Sequence, residues 1–169
     1  MPKILESVRE QLLETARAQI ERNGYANTTI RSVAAECGIA VGTVYNYFPS
    51  KDMLIATYVS EDWMSCLASV RAGEDDGAET RLRRIYEALR AFIDAHAALF
   101  TDPAAVKPYH SVFSQRHGQL RAQLAELIAP VCPPGADAFL PSFLAETLLT
   151  WTMEGMAFEP VYHVIQKLL

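Results

Sequence analysis

Long apolar runs are missing from this 169-residue chain, although half of its residues are hydrophobic. No stretch approaches the roughly 20 apolar residues that a membrane span needs, and the opening MPKILESVREQLLE is too charged for the centre of a signal peptide. The expectation is a cytoplasmic protein with no membrane partner. Cysteine is scarce as well. Cys37, Cys66 and Cys132 are far apart and odd in number, which fits neither a disulfide framework nor a Cys-x-x-Cys metal site. Cys37 and Cys66 sit among apolar residues, where packing accounts for them, while Cys132, beside two prolines and a glycine, is expected at the surface. No resolving partner is in sight, so redox sensing has no support. GxGxxG, GxSxG and HExxH are all absent, as is any carboxylate pair at a useful spacing. Nothing speaks for an enzyme, a cofactor or a metal.

A surplus of positive charge is missing too, since the net charge is −5. The deficit is not evenly spread. Residues 1–55 hold six basic side chains (Lys3, Arg9, Arg17, Arg22, Arg31, Lys51) and six acidic ones, so the whole imbalance lies in residues 56–169. A neutral head on an acidic body permits nucleic-acid contact through the head alone.

What is present is helical periodicity almost throughout. Leu5, Val8, Leu12, Ala16 and Ile20 form one stripe, which Asn23-Gly24 stops. Thr28 is the expected cap of a short helix with Ile30, Val33, Ala34 and Cys37 inward, ended by Gly38. A second short helix is expected over about 40–48, with Val44 and Phe48 inward. Pro49-Ser50 breaks it and Ser50 caps the next, about 51–70, whose face is Ile55, Val59, Trp63, Cys66 and Val70. After a glycine-bounded acidic loop at 73–77, the stripe Leu82, Ile85, Leu89, Phe92, His96, Leu99 reads as one helix. Asp102-Pro103 opens a short turn before Pro108. His110, Phe113, His117, Leu120, Leu124, Leu127 and Val131 make a further stripe, ended by Cys132-Pro-Pro-Gly135. Asp137 caps an expected helix through Phe158, and after Glu159-Pro160 a short terminal helix carries Val161, Val164, Ile165 and Leu168. The fold class is all-α, with eight or nine helices.

Two short helices joined at a glycine, behind a longer one, make a helix-turn-helix. The second helix must enter the major groove by its N-terminal part, so its outward residues there have to be small or polar. Ala40, Val41, Gly42 and Thr43 meet that need, and Tyr45, Asn46 and Tyr47 carry hydroxyls and an amide for phosphates or base edges. Core packing is the competing role for Tyr45 and Tyr47.

Gly24-Tyr25-x-x-Thr28-Thr29-Ile30-Arg31-x-Val33-Ala34, followed by Gly38-Ile39-x-x-Gly42-Thr43-Val44-Tyr45-x-Tyr47-Phe48-Pro49-Ser50-Lys51-x-x-Leu54, resembles the DNA-binding signature of TetR-family repressors over about residues 7–58. The resemblance implies a DNA-binding domain over 1–50 and a helical ligand-binding and dimerisation domain over 51–169. It places Thr29 and Arg31 against the DNA backbone, Val41, Gly42, Thr43, Tyr45, Asn46 and Tyr47 on the recognition helix, and Lys51 on a phosphate. Ala40 and Val41 stand where many members have serine and a polar or basic residue. Base reading would then lean on thymine methyls, Thr43 and Asn46.

One helix-turn-helix reads only a few base pairs, so a homodimer on a palindromic duplex operator is expected. Leu140, Leu144, Leu148, Gly155, Phe158, Val161 and Ile165 are the expected dimer face, with an intramolecular core as the alternative. The resemblance also implies a pocket for a small-molecule effector. Its candidate lining is Trp63, Tyr86, Phe92, His96, Phe100, Tyr109, Phe113, His117, Trp151 and Met153, which suits a mostly apolar ligand. For His96 and His117 three roles stay open: a core imidazole bonded to a carbonyl or carboxylate, a ligand-orienting group, or a metal ligand. The reading is a ligand-responsive regulator, a repressor, released from its operator by the effector. A helical protein-binding adaptor and a helical-bundle enzyme are the alternatives.

Overall fold

The computed structural model describes the backbone of residues 2–73 and 77–169, and the side chains of 7–73, 77–105 and 118–169. The described elements are α-helices joined by short turns: α1 (Pro2–Asn27), α2 (Ile30–Glu36), α3 (Val41–Tyr47), α4 (Lys51–Arg71), α5 (Ala78–Ala95), α6 (Ala97–Phe100), α7 (Pro103–Ile128), a 3-10 turn (Ala129–Val131), α8 (Leu140–Met153) and α9 (Phe158–Ile165). No helix among the described residues is long and apolar enough to cross a membrane.

The chain forms two compact units. The first comprises residues 1–62 and 96–112. Its buried residues include Leu12, Ala16 and Ile20 of α1, Ile30, Val33 and Ala34 of α2, Val44 of α3, and Leu54, Ile55 and Tyr58 of α4. The second comprises residues 63–95 and 113–169. There Leu67 and Val70 of α4, Leu82, Ile85 and Leu89 of α5, Leu124 and Ile128 of α7, Leu144 and Leu148 of α8, and Phe158, Val161 and Ile165 of α9 form one apolar cluster.

Several expected boundaries move. Thr29, not Thr28, caps α2. Its hydroxyl accepts the Ser32 amide at 3.0 Å while Ser32 Oγ accepts the Thr29 amide at 3.0 Å, a reciprocal capping box. Thr28 is buried and donates to the Gly24 carbonyl at 2.9 Å. The stripe through Leu99 is divided at His96, whose φ of −113° and ψ of 13° leave the helical region. Conversely, α7 runs through Pro108, because a proline removes one ladder bond and the apolar stripe beyond it, with Leu124 and Leu127 buried, still packs.

The last break lies at Gly155, not at Glu159-Pro160. Met156 N donates to Trp151 O at 2.9 Å and Gly155 N to Thr152 O at 3.1 Å, the paired bonds of a Schellman ending, with Gly155 at φ 75°. Pro160 then falls in the first turn of α9, where its missing N–H has no partner to lose. Asp137 lies three residues before α8 and bonds the Phe139 amide at 2.7 Å, so it fixes the turn rather than capping the helix. Cys132 is half-buried rather than exposed, and that burial raises its thiol pKa.

Candidate nucleic-acid interface

The pose of α3 follows from its two inward side chains. Val44 is fully buried and Phe48, just past the helix end, is 4% exposed, so the opposite side of the helix faces out. Between α2 and α3 the chain turns at Gly38, with Ile39 N bonded to Ala34 O at 3.0 Å and Gly38 N to Ala35 O at 3.2 Å. Gly42 and Asn46 are exposed, and Val41, Thr43 and Tyr47 are partly so. Tyr45 is 52% exposed, whereas Tyr47 leans on Phe48 at 6.4 Å between ring centroids. An open cleft of about 480 Å³ runs beside α3, lined by Thr28, Thr29, Ile30, Arg31, Tyr45, Pro49, Ser50 and Lys51. The residues expected at the DNA backbone therefore share one concavity with Tyr45.

The cations of the head divide into two kinds. Arg9 pairs with Glu61 at 2.5 Å, Arg17 with Asp62 at 2.6 Å and Arg22 with Glu36 at 2.8 Å. Arg22 first, and Gln19 second, hold the Glu36 carboxyl below its ordinary value. These pairs cancel charge locally. Arg31 is exposed on α2 at the cleft. Lys51 is half-buried, with Nζ donating to Tyr25 O at 2.8 Å and lying 3.7 Å from the Tyr25 ring centroid. Desolvation lowers its pKa, against the raising effect of Asp52 and Asp102. One of its three protons is thus directed inward.

The candidate ligand residues are divided between the two units. In the second unit Trp63 packs edge-on against Phe92 at 5.3 Å and donates to Gln123 Oε1 at 2.8 Å. Tyr86 packs against Phe158 at 5.5 Å and donates to Met156 O at 2.8 Å. Trp151 and Met153 are 44% and 57% exposed. In the first unit His96 is buried, with Nε2 3.0 Å from Asp62 Oδ2, and it stacks on Tyr58 at 6.0 Å and Phe100 at 5.7 Å. That is the carboxylate-bonded core imidazole among the three open roles. Tyr109, Phe113 and His117 lie outside the described side chains. No group of three His, Cys, Asp or Glu side chains among the described residues is arranged to hold a metal ion.

The expected dimer residues also resolve differently. Leu144, Leu148, Phe158, Val161 and Ile165 are buried within the single chain, at 0 to 6% exposure, so they are not open to a second copy. Leu140 is half-buried and Gly155 exposed. The large apolar side chains that face outward on α8 and α9 and at their ends include Phe139, Phe143, Trp151, Met153, Met156, Val164 and Leu168. The long-range partners Asp52, Asp62 and Asp102 were not legible in the sequence as functional neighbours, since no local spacing ties them to Tyr25, Arg17 or His96.

The described residues define the class: an all-α fold with a helix-turn-helix in its N-terminal unit. Residues 12–58 match the family model of bacterial regulatory proteins, tetR family. The chain is 32% identical over 63 residues to the HTH-type transcriptional regulator UidR of Escherichia coli K12, a match covering 37% of this chain and 32% of that one. It is 34% identical over 55 residues to the HTH-type transcriptional repressor KstR of Rhodococcus jostii RHA1, covering 32% of this chain and 26% of that one. The match thus spans about a third or less of these relatives' length. Among solved structures, a putative transcriptional regulator from Pseudomonas aeruginosa PAO1 superposes with TM-score 0.64 at 22% identity, covering 89% of this chain and 79% of that one. A TetR-like regulator from Rhodococcus sp. RHA1 gives 0.60 at 20% identity, covering 96% and 93%. Residues 12–58 are thus similar to the DNA-binding segment of tetR-family regulatory proteins, and the fold of the chain is that of these solved structures.

Proposed function

We propose that this protein is a ligand-responsive transcriptional regulator, a repressor, that binds a palindromic operator as a homodimer. The observation that carries the reading is the outward presentation of Thr43, Tyr45 and Asn46 on α3, with Val44 and Phe48 fixing the helix from behind. Residues 1–50 serve as the DNA-binding part and 51–169 as the ligand-binding and dimerisation part. Thr29, Arg31, Tyr45 and Lys51 meet the phosphates from the cleft beside α3. Val41, Thr43 and Asn46 face the bases, and Tyr47 supports them. A second copy docks on the face of Phe139, Phe143, Trp151, Val164 and Leu168.

The effector is small and mostly apolar, and acts by preferring a state whose two recognition helices no longer match successive major grooves, roughly 34 Å apart on B-DNA. Coupling of that kind is reciprocal, so the operator must weaken the effector by the same factor. Selection from a pool of random duplexes tests the first half: a palindrome with half-sites about one helical turn apart is the expected product, and enrichment of nothing by a folded dimer overturns it. Effector titration of free and operator-bound protein tests the second half. Equal affinity in both states eliminates the release mechanism.

A further inference from the structure

We infer that Asp102, at the junction of α6 and α7, is a positioning residue for operator binding: it holds the turn by which α1 enters the helix-turn-helix. The inference rests on the proposed DNA-binding function and adds to it a residue that lies far in sequence from the head.

Gly24 interrupts α1 with φ 75° and ψ 170°. The amides that follow have lost their helical acceptors and are in the position of a new helix start, which requires an external partner. Asp102 supplies it across 77 residues of sequence: Oδ2 accepts the Tyr25 amide at 2.8 Å. The other oxygen, Oδ1, accepts the Ala104 amide at 2.8 Å and so caps α7. Ala104 first, then the amides of Tyr25, Ala26 and Ala105, hold the Asp102 carboxyl below its ordinary value. One carboxylate therefore caps two chain segments, one oxygen for each.

Tyr25 is the point to fix. Its carbonyl takes Lys51 Nζ, its ring lies under the same ammonium, and its hydroxyl donates to Asp52. Three residues on, Thr28 bonds back to the Gly24 carbonyl and Thr29 caps α2. Thr28, Thr29 and Lys51 are walls of the cleft that also holds Tyr45. Displacement of the Tyr25 turn would move those walls against α3.

The discriminating variant is Asp102→Asn. Asparagine is as good a cap as aspartate, but it has one acceptor oxygen, so it retains the local Ala104 bond and turns an N–H₂ donor toward the Tyr25 amide. The control is Asp137→Asn, which alters a carboxylate bonded to the Phe139 amide at 2.7 Å in the second unit. On an operator selected with the wild-type protein, Asp102→Asn is expected to weaken binding about fivefold to thirtyfold, the scale of one partly buried amide left unpaired. It should also speed hydrogen exchange at Tyr25 and Ala26, with Asp137→Asn near wild type in both readouts. Asp102→Glu, which keeps two oxygens, should recover part of the affinity, and Asp102→Ser, a good cap with a single oxygen, serves in place of Asp102→Asn if that variant does not fold. Operator affinity no lower than that of Asp137→Asn, or unchanged exchange at Tyr25, overturns the inference. Failure of the wild type to bind any duplex overturns the function itself, a separate result.

Discussion

At the residue scale, α3 is defined by what its outward side lacks. No arginine or lysine occurs in VGTVYNY, so the bidentate guanine contact has no donor on this helix. Asn46 is exposed and is the one side chain on α3 with an amide, the group that pairs with adenine through both edges. Asn46→Ala is therefore expected to lose about 1–3 kcal/mol at one base pair of each half-site and to leave binding to all other sequences nearly unchanged. Competition with single-substitution operators measures it; uniform loss across the set would assign Asn46 to the phosphates instead. This much was legible in the sequence, because Val44 and Phe48 at a four-residue spacing fix which side is inward. The direction of Lys51 was not. Its partner, Tyr25 O, comes from 26 residues away, and no periodicity reports such a contact.

At the scale of the element, the sequence located helices better than it located their ends. Hydrophobic stripes dictate where a helix packs, yet the stripe through His96 and Leu99 continues in phase across a break, and Glu159-Pro160 looks like a break where the first turn of α9 tolerates it. Backbone conformation decides such places, and glycine reveals it. Gly155 has φ 75° with the nearest foreign atom, Arg90 Nη1, 3.6 Å from where a Cβ would stand. Gly24 has φ 75° and Asp102 Oδ2 only 3.2 Å from that point. Gly155→Ala is thus expected to cost the left-handed penalty alone, about 1–2 kcal/mol. Gly24→Ala bears the same penalty plus a displaced Asp102, so it should be the more destabilising of the two and should also impair operator binding. Chemical denaturation of both variants checks the order, and equal losses with full operator affinity would deny Asp102 its role.

At the scale of the molecule, the C-terminal helices are apolar on two sides, and a sequence gives no rule for which side closes the single chain. The core takes Leu144 and Leu148, leaving Phe143 and Trp151 at 44% exposure each. The two sides are separable by experiment. Phe143→Glu or Trp151→Glu should give a folded monomer by sedimentation, since a charge there meets water in the single chain. Leu148→Ala should destabilise by about 2–5 kcal/mol, as cavity formation in a core does, with the dimer retained among folded molecules. A Phe143→Glu variant that remains dimeric would move the interface elsewhere.

Electrostatics closes the account, because so few of the head's cations are open to phosphate. Arg9, Arg17 and Arg22 are held by Glu61, Asp62 and Glu36. Among the described residues Arg31 and Lys51 stand at the cleft; on the proposed function they and Lys3, which lies outside the described side chains, would each meet a phosphate, three in each protomer. A dimer then neutralises about six phosphates, and the slope of log affinity against log salt should be roughly −5. Lys51 decides the figure. Bonded to Tyr25 O through one proton, its ammonium retains two others, so it is expected to contribute while staying in place. If it serves only to anchor Tyr25, about four phosphates remain and the slope shrinks to roughly −3.6. Titration of operator affinity across salt separates these values. Lys51→Met should bring a wild-type slope near −5 to near −3.6, whereas a wild type already at the shallower value would make Lys51 an internal strut and leave Arg31 as the cation that meets phosphate from the cleft.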